Sequence, residues 1–105
     1  MLILFDQGTT VPLRKNLSEH DVQTAAERGW SALSNGQLLA AAESTFDLLI
    51  TTDQSLSYQQ NLKNRRLAIL FLTTTSWPRI RADADRIRQA ANSITAGEYR
   101  ELTIM

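Results

Sequence analysis

The sequence lacks cysteine and has only one histidine, His20, among its 105 residues. The absence of cysteine excludes disulfide scaffolds, thiolate zinc sites and thiol nucleophiles. A single histidine excludes multi-histidine metal centres and argues against a histidine-based catalytic triad. A long apolar run is also missing near the start, where residues 1–5 are followed by Asp6 and are too few for a signal peptide or a membrane span. We therefore expect a cytoplasmic protein with no membrane association.

Proline and glycine are scarce, at two and four residues, while 43% of the residues are hydrophobic. This composition and length predict one compact domain covering residues 1–105. The formal charge is zero, yet residues 1–60 hold three basic and seven acidic side chains, whereas residues 61–105 hold eight basic and four acidic ones. The segregation is a hint of an acidic site beside a basic flank.

Apolar runs predict a sheet whose strands are covered on both faces. The predicted strands are residues 2–5, 21–25, 46–52, 67–72 and 99–104. Helices are predicted over residues 11–17, after a capping box formed by Ser34 and Gln37, and over residues 77–94. The alternation of strands and helices indicates an α/β fold, a three-layer α/β/α sandwich around a mostly parallel, about five-stranded sheet.

Two aspartates occupy comparable positions, because Asp6 and Asp53 each directly follow an apolar strand. If strands 2–5 and 46–52 are neighbours, both carboxylates lie at the carboxyl ends of the strands, where open parallel sheets bind ligands. Facing carboxylates favour a hard cation with oxygen ligands, Mg²⁺ or Mn²⁺. The alternative is that each aspartate only caps a turn or a helix.

Three segments carry a resemblance to a known family, namely "LILFDQGTTVPL", "GWSALSNGQLLAAAESTFDLLITTDQSLSYQQNL" and "LAILFLTTTSWPRI". They resemble PIN-like proteins of the DUF5615 type, and the resemblance covers nearly the whole chain. It implies a reduced PIN fold and a ribonuclease dependent on Mg²⁺ or Mn²⁺, often the toxin of a toxin–antitoxin pair.

The same resemblance assigns the site residues. Asp6 matches the first acidic position of the family and Asp53 the last, so both are expected to be catalytic and to hold the metal. Asn35 stands at the helix position that is acidic in typical members, and Ser55 stands where many relatives have a second aspartate. Two of about four expected carboxylates are therefore neutral here. This departure keeps a second reading open, a catalytically degenerate module that binds a protein partner or nucleic acid.

Arg65 and Arg66 follow Asp53 on a polar segment that we expect to reach the same end of the sheet. With Ser55, they are the candidate substrate-binding residues, positioned to contact the phosphates of RNA. The alternative is a solvated connection that binds nothing. The two tryptophans, Trp30 and Trp77, are predicted to be packing residues rather than stacking platforms.

Two protein partners are also considered. An antitoxin-like protein follows from the family resemblance. A second copy of the chain is the other, since residues 99–104 form a predicted edge strand that can pair with its counterpart into a homodimer. A frayed tail is the alternative for this last segment.

Overall fold

A computed structural model describes residues 1–9, 11–55 and 65–104. Five strands form one sheet in the spatial order β2-β1-β3-β4-β5, and each neighbouring pair is parallel. The strands are β1 (Leu2–Phe5), β2 (Asp21–Thr24), β3 (Leu48–Thr51), β4 (Ala68–Leu72) and β5 (Tyr99–Leu102). This confirms the predicted α/β class, and the mostly parallel sheet is parallel throughout the described residues.

In the described part of the chain, four helical segments with complete bounds accompany the sheet. They are a 3₁₀ helix (Val11–Leu17) and three α-helices, α1 (Asn35–Glu43), α2 (Trp77–Ala82) and α3 (Ala84–Ser93). None of the helices in the described part of the chain is long and apolar enough to cross a membrane.

The central strands bury side chains on both faces, because successive residues of a strand point to opposite sides. Every residue of β3 and β4 is buried. On one face, Ile3, Phe5 and Ile50 pack with residues of the 3₁₀ helix, α2 and α3. On the other face, Leu4 and Leu49 pack with residues of α1. The two-sided cover explains why the strands are apolar runs rather than alternating patterns.

Helix α1 begins at the predicted capping box, which the structure confirms. The Ser34 hydroxyl accepts a hydrogen bond from the Gln37 backbone N–H at 3.3 Å, and the Gln37 side-chain oxygen accepts one from the Ser34 N–H at 3.0 Å. Two N–H groups that helix geometry leaves without a partner are thereby satisfied. The cap fixes the first residue of the helix, Asn35, at the end of the sheet where β1 and β3 terminate.

The predicted helix over residues 77–94 is two helices, because the chain bends at Asp83. This residue ends α2 and begins α3, with φ −104° and ψ 16°, outside helical values. Its backbone N–H donates to the carbonyls of Arg79 and Ile80, which tightens the last turn of α2. The signal was present in the sequence, since an aspartate is a poor residue for a helix interior and a good one for a boundary.

The sheet has two ends that matter for function. The end at which the strands terminate is called the carboxyl end, and the end at which they begin is called the amino end. Because β1 and β3 are parallel neighbours, with Phe5 opposite Ile50, the loops after both strands meet at the carboxyl end. The sequence prediction for Asp6 and Asp53 depended on this adjacency.

Candidate functional site

A pocket of about 430 Å³ opens at the carboxyl end of the sheet. It is lined by the loops after β1, β2, β3 and β4 and by the first turn of α1. The lining residues are Asp6, Gln7, Gly8, Ala25, Trp30, Ser31, Leu33, Asn35, Leu38, Thr52, Asp53 and Thr75. The structure thus brings Asp6, Asp53 and Asn35 to one pocket.

Asp6 is the most enclosed charged group of the pocket, with 7% of its surface exposed. Its Oδ1 atom accepts hydrogen bonds from the Thr9 N–H at 3.1 Å and from the Thr9 hydroxyl at 2.7 Å, and its Oδ2 atom accepts one from the Thr51 hydroxyl. Both threonines are themselves buried. The carboxyl group is therefore held in one orientation from both sides.

Burial raises the pKa of Asp6 above its ordinary value, and the nearby charge of Asp53 adds to the rise. The hydrogen bonds from Thr51 and Thr9 act in the opposite direction but do not cancel it. The Thr9 hydroxyl also lies 2.9 Å from the carbonyl oxygen of Ile50, so its one proton has two acceptors. A proton on Asp6 Oδ1 would satisfy both contacts, which agrees with the direction of the shift.

Asp53 is exposed, and its pKa is shifted in the direction opposite to that of Asp6. Its Oδ1 atom accepts hydrogen bonds from the Ser55 hydroxyl at 2.7 Å and from the Ser55 N–H at 2.9 Å. The Ser55 hydroxyl is the largest cause of a lowered pKa for Asp53, and Asn35 contributes in the same direction. Two carboxyl groups of one pocket thus have pKa values shifted apart by their surroundings.

Thr51 connects the two carboxyl-bearing loops. Its hydroxyl donates to Asp6 Oδ2 and accepts from the backbone N–H of Asp53 at 3.0 Å. The side chain of a buried β3 residue therefore fixes both the carboxyl group after β1 and the backbone after β3. Sequence reasoning missed Thr51 and Thr9, although a short hydroxyl side chain within two or three residues of each aspartate was a usable signal.

Asn35 and Ser55 complete the polar side of the pocket. The Asn35 amide nitrogen donates to the Ser55 hydroxyl at 2.7 Å, and that hydroxyl donates to Asp53. Asn35, at the beginning of α1, is therefore linked through Ser55 to Asp53, the acidic residue after β3. With this orientation the amide presents N–H to Ser55 and leaves its oxygen for another donor or a cation.

Gly8 allows the loops after β1 and β3 to approach closely. A Cβ atom at this position would lie 2.5 Å from the Thr52 hydroxyl oxygen. The next loop is tied to the same place, since the Gln7 side chain donates to the Ser31 carbonyl at 2.9 Å. The pocket is thus enclosed by three loops that contact one another directly.

Arg65 and Arg66 do not lie at this end, which corrects their expected proximity to Asp53. The Arg66 guanidinium donates to the carbonyls of Glu43 and Phe46 and to the Asp47 carboxylate at the amino end of the sheet. The Arg65 carbonyl lies beside Gly97 at that same end. The reason is directional, because residues that immediately precede a parallel strand lie at the end opposite to residues that follow one.

The side chains that could act as metal ligands determine which kind of cation would fit the pocket. The described residues include no group of three or more histidine, aspartate or glutamate side chains able to hold a metal ion together. Asp6 and Asp53 supply two carboxylates, and Asn35 and Ser55 supply neutral oxygens in the same pocket. Mg²⁺ is commonly bound through one or two carboxylates plus waters and substrate phosphates. The oxygen types present are those that such a cation takes, and the described residues do not supply a centre built only from protein ligands.

Comparisons with protein-family models, with curated proteins and with solved structures give no match for this chain. The α/β class is shown by the five-stranded parallel sheet itself.

Proposed function

We propose that the chain is a PIN-like domain and a ribonuclease dependent on Mg²⁺ or Mn²⁺, in which Asp6 and Asp53 hold the cation. The observation that supports this most is the placement of the two carboxylates at the ends of neighbouring central strands, on the wall of one pocket. In the setting of the family, such a domain would be the toxin of a toxin–antitoxin pair.

The residues of the pocket have separable tasks in this proposal. Thr9 and Thr51 hold the Asp6 carboxyl group, and Ser55 holds Oδ1 of Asp53. Asn35 adds a neutral oxygen from the first turn of α1. A bound divalent cation supplies two things, a lowered pKa for an attacking water and neutralisation of charge on the phosphodiester.

The charge of the pocket also supports a cation-dependent reaction. Among the lining residues in the described part of the chain there is no lysine or arginine. An RNA phosphate placed there would meet the charge of Asp53 and, when it is ionised, of Asp6. Because like charges repel, a positive charge held by the carboxylates would favour phosphate binding. A divalent cation would supply that charge.

A second candidate function is a catalytically silent PIN-like module that binds a protein partner, such as an antitoxin-like protein, or nucleic acid without cleaving it. It is favoured by the small number of carboxylates and by Asp6, whose two oxygens both accept hydrogen bonds inside the protein. A carboxylate occupied in this way is a weaker metal ligand. The homodimer through β5 stays a separate possibility, since β5 is at the edge of the sheet.

The experiment is a calorimetric titration with Mn²⁺ combined with a cleavage assay on single-stranded and structured RNA. Asp53→Asn is the test variant, because Asp53 is exposed and its substitution spares the core. Asp85→Asn is the matched control, since Asp85 is exposed on α3 and outside the pocket. We expect Asp53→Asn to lower Mn²⁺ affinity at least about tenfold and to abolish cleavage, and the control to change neither.

Three outcomes separate the candidates. Loss of metal binding and of cleavage in Asp53→Asn alone supports the ribonuclease. Metal-independent cleavage, or equal cleavage by wild type and Asp53→Asn, would sink it. Binding of RNA without cleavage at any metal concentration favours the silent module instead.

A further inference from the structure

The pocket has an apolar wall that a cation site does not explain. Besides the polar residues, its lining includes Ala25, Trp30, Leu33 and Leu38. Trp30 is half-buried, packs against the hydrophobic cluster that includes residues of α1, and is one of the residues that line the pocket. A hydrated cation is held through oxygen ligands, which the side chains of these four residues do not offer. The mixture of polar and apolar walls is typical of a site for an organic ligand.

The Trp30 ring is held in place by its surroundings. Its backbone N–H donates to the Ala25 carbonyl at 2.8 Å, and its carbonyl accepts from the Leu33 N–H at 3.1 Å. The ring meets Phe46 edge to face, with 5.9 Å between centroids and 77° between planes. The Arg28 guanidinium carbon lies over one face of the Trp30 ring, 4.9 Å from its centroid, so only the other face can receive a stacked base. An aromatic surface that is fixed before binding loses little conformational freedom when a ligand stacks on it.

We infer that Trp30 is the stacking platform for one unpaired nucleobase of the RNA whose phosphate lies at Asp6 and Asp53. The inference deepens the proposed function and rests on it for the position of the phosphate. The pocket volume of about 430 Å³ lies in the range of small-ligand sites and suits one nucleotide. Stacking needs a free base face, so the substrate class is single-stranded RNA, and paired bases of a duplex are excluded.

This inference revises the expectation that both tryptophans only pack. Trp77 packs against the hydrophobic cluster on the other face of the sheet and does not line the pocket. Trp30 lines the pocket beside the carboxylates. The chain has two tryptophans in total, so Trp77→Phe gives a protein whose fluorescence comes from Trp30 alone.

The first test uses the Trp77→Phe protein titrated with uridine 5′-monophosphate in the presence of Mg²⁺. Stacking of a base on Trp30 quenches its fluorescence, so we expect saturable quenching. Ribose 5-phosphate is the matched probe, because it has the sugar and phosphate without the base, and it should not quench. Equal responses to both probes, or none to either, overturn the inference.

The second test separates stacking from a merely structural role. Trp30→Ala and Trp30→Phe are compared on a uridine oligomer and on an abasic oligomer of the same length. Trp30→Ala should lower kcat/KM on the uridine oligomer by about 5- to 100-fold and leave the abasic oligomer unchanged, while Trp30→Phe restores most of the loss. An equal decrease on both oligomers overturns the inference.

Failure of this inference is distinguishable from failure of the ribonuclease proposal. Mg²⁺ binding and cleavage without base-dependent quenching overturn the stacking role of Trp30 alone. Quenching by uridine 5′-monophosphate in a protein that neither binds metal nor cleaves RNA overturns the ribonuclease and supports the base site.

Discussion

The two ends of the sheet treat charged side chains in opposite ways. At the amino end, Arg66 reaches the Asp47 carboxylate and two backbone carbonyls, and the Glu43 carboxylate accepts the backbone N–H groups of Arg66 and Leu67. At the carboxyl end, Asp6 and Asp53 share a pocket in which no lysine or arginine appears among the described lining residues. Charged side chains at the amino end thus pair within the chain, whereas no described lysine or arginine pairs with the two carboxyl groups at the carboxyl end. The comparison teaches that the contacts at the amino end serve stability, and it agrees with the proposal that the carboxyl end binds a cation.

Glycine substitutions should show the largest difference between the two ends. Gly97 at the amino end has φ +76°, and an added Cβ would lie 2.5 Å from the backbone oxygen of Arg65. We expect Gly97→Ala to lower the free energy of unfolding by about 2–4 kcal/mol, since both the backbone and the packing are strained. Gly8→Ala at the carboxyl end should cost about 1 kcal/mol, because the obstructing atom is the Thr52 hydroxyl, which can rotate.

Urea unfolding measures both values. Gly36→Ala is the control, since nothing lies within 4 Å of its added Cβ. Equal costs for Gly97→Ala and Gly8→Ala would contradict the stated contrast.

The Glu43 carboxylate should be the next largest contributor at the amino end. It accepts from the Arg66 N–H at 2.7 Å and from the Leu67 N–H at 3.0 Å, which anchors the beginning of β4 to the end of α1. Glu43→Ala leaves two N–H groups without this acceptor and should cost about 2 kcal/mol. Glu43→Gln keeps one acceptor oxygen and should cost roughly half as much. Thermal unfolding checks this order, and a Glu43→Ala protein as stable as wild type would refute it.

Asp6→Asn should affect function strongly and stability little. The amide oxygen can still accept from Thr9, and the amide nitrogen can donate to the Thr51 hydroxyl. Removing a buried charge offsets the weaker hydrogen bonds, so the free energy of unfolding should change by less than about 1 kcal/mol. Mn²⁺ affinity should nevertheless fall at least about tenfold, as for Asp53→Asn, because one of two carboxylates is gone. Calorimetry and urea unfolding on the same preparation test the pair of outcomes, and a protein that unfolds at low urea would show that Asp6 is structural.

The smallest effect should be in pH dependence, with opposite signs for the two carboxyl groups. The pKa of Asp6 is raised in the folded protein from an ordinary value of 3.8, so its favourable contribution is complete below that value and is lost as pH rises through the folded pKa. Asp6→Asn should therefore gain stability relative to wild type above about pH 4. The pKa of Asp53 is lowered, so its contribution is present above 3.8 and is lost as pH falls through the folded pKa.

Unfolding in metal-free buffer from about pH 3 to pH 7 measures how the free energy of unfolding of each variant changes with pH. Asp53→Asn should lose stability relative to wild type as the pH rises, the reverse of Asp6→Asn. Parallel profiles for the two variants would contradict the opposite shifts.

The sequence predicted the sheet and the acidic pair for one physical reason. Apolar strands with both faces buried are recognisable as continuous runs, and a polar residue directly after such a run lies where a parallel strand ends. Asp6 and Asp53 satisfy both conditions. Their adjacency required β1 and β3 to be neighbours, which the run of apolar residues alone does not state and which the α/β pattern made reasonable.

The sequence did not predict the electrostatic partners of the site. Thr51 holds Asp6 through a tertiary contact that no local spacing specifies, since the two residues are 45 positions apart. Thr9 is three residues from Asp6, so its role was open to local reasoning. The position of Arg66 differs from the prediction for a different reason. Arg66 directly precedes the run 67–72, which places it at the amino end of a parallel strand despite its proximity in sequence to Asp53.

The hydrogen bond between Thr51 and Asp6 also has a consequence for folding. It joins residues 45 positions apart and depends on β1 lying beside β3 in the observed register. Closing so long a loop is an entropic cost that must be met before the pocket exists. A nascent or partly unfolded chain therefore lacks the pocket altogether. A cation bound there would select the complete fold and shift the folding equilibrium towards it by mass action.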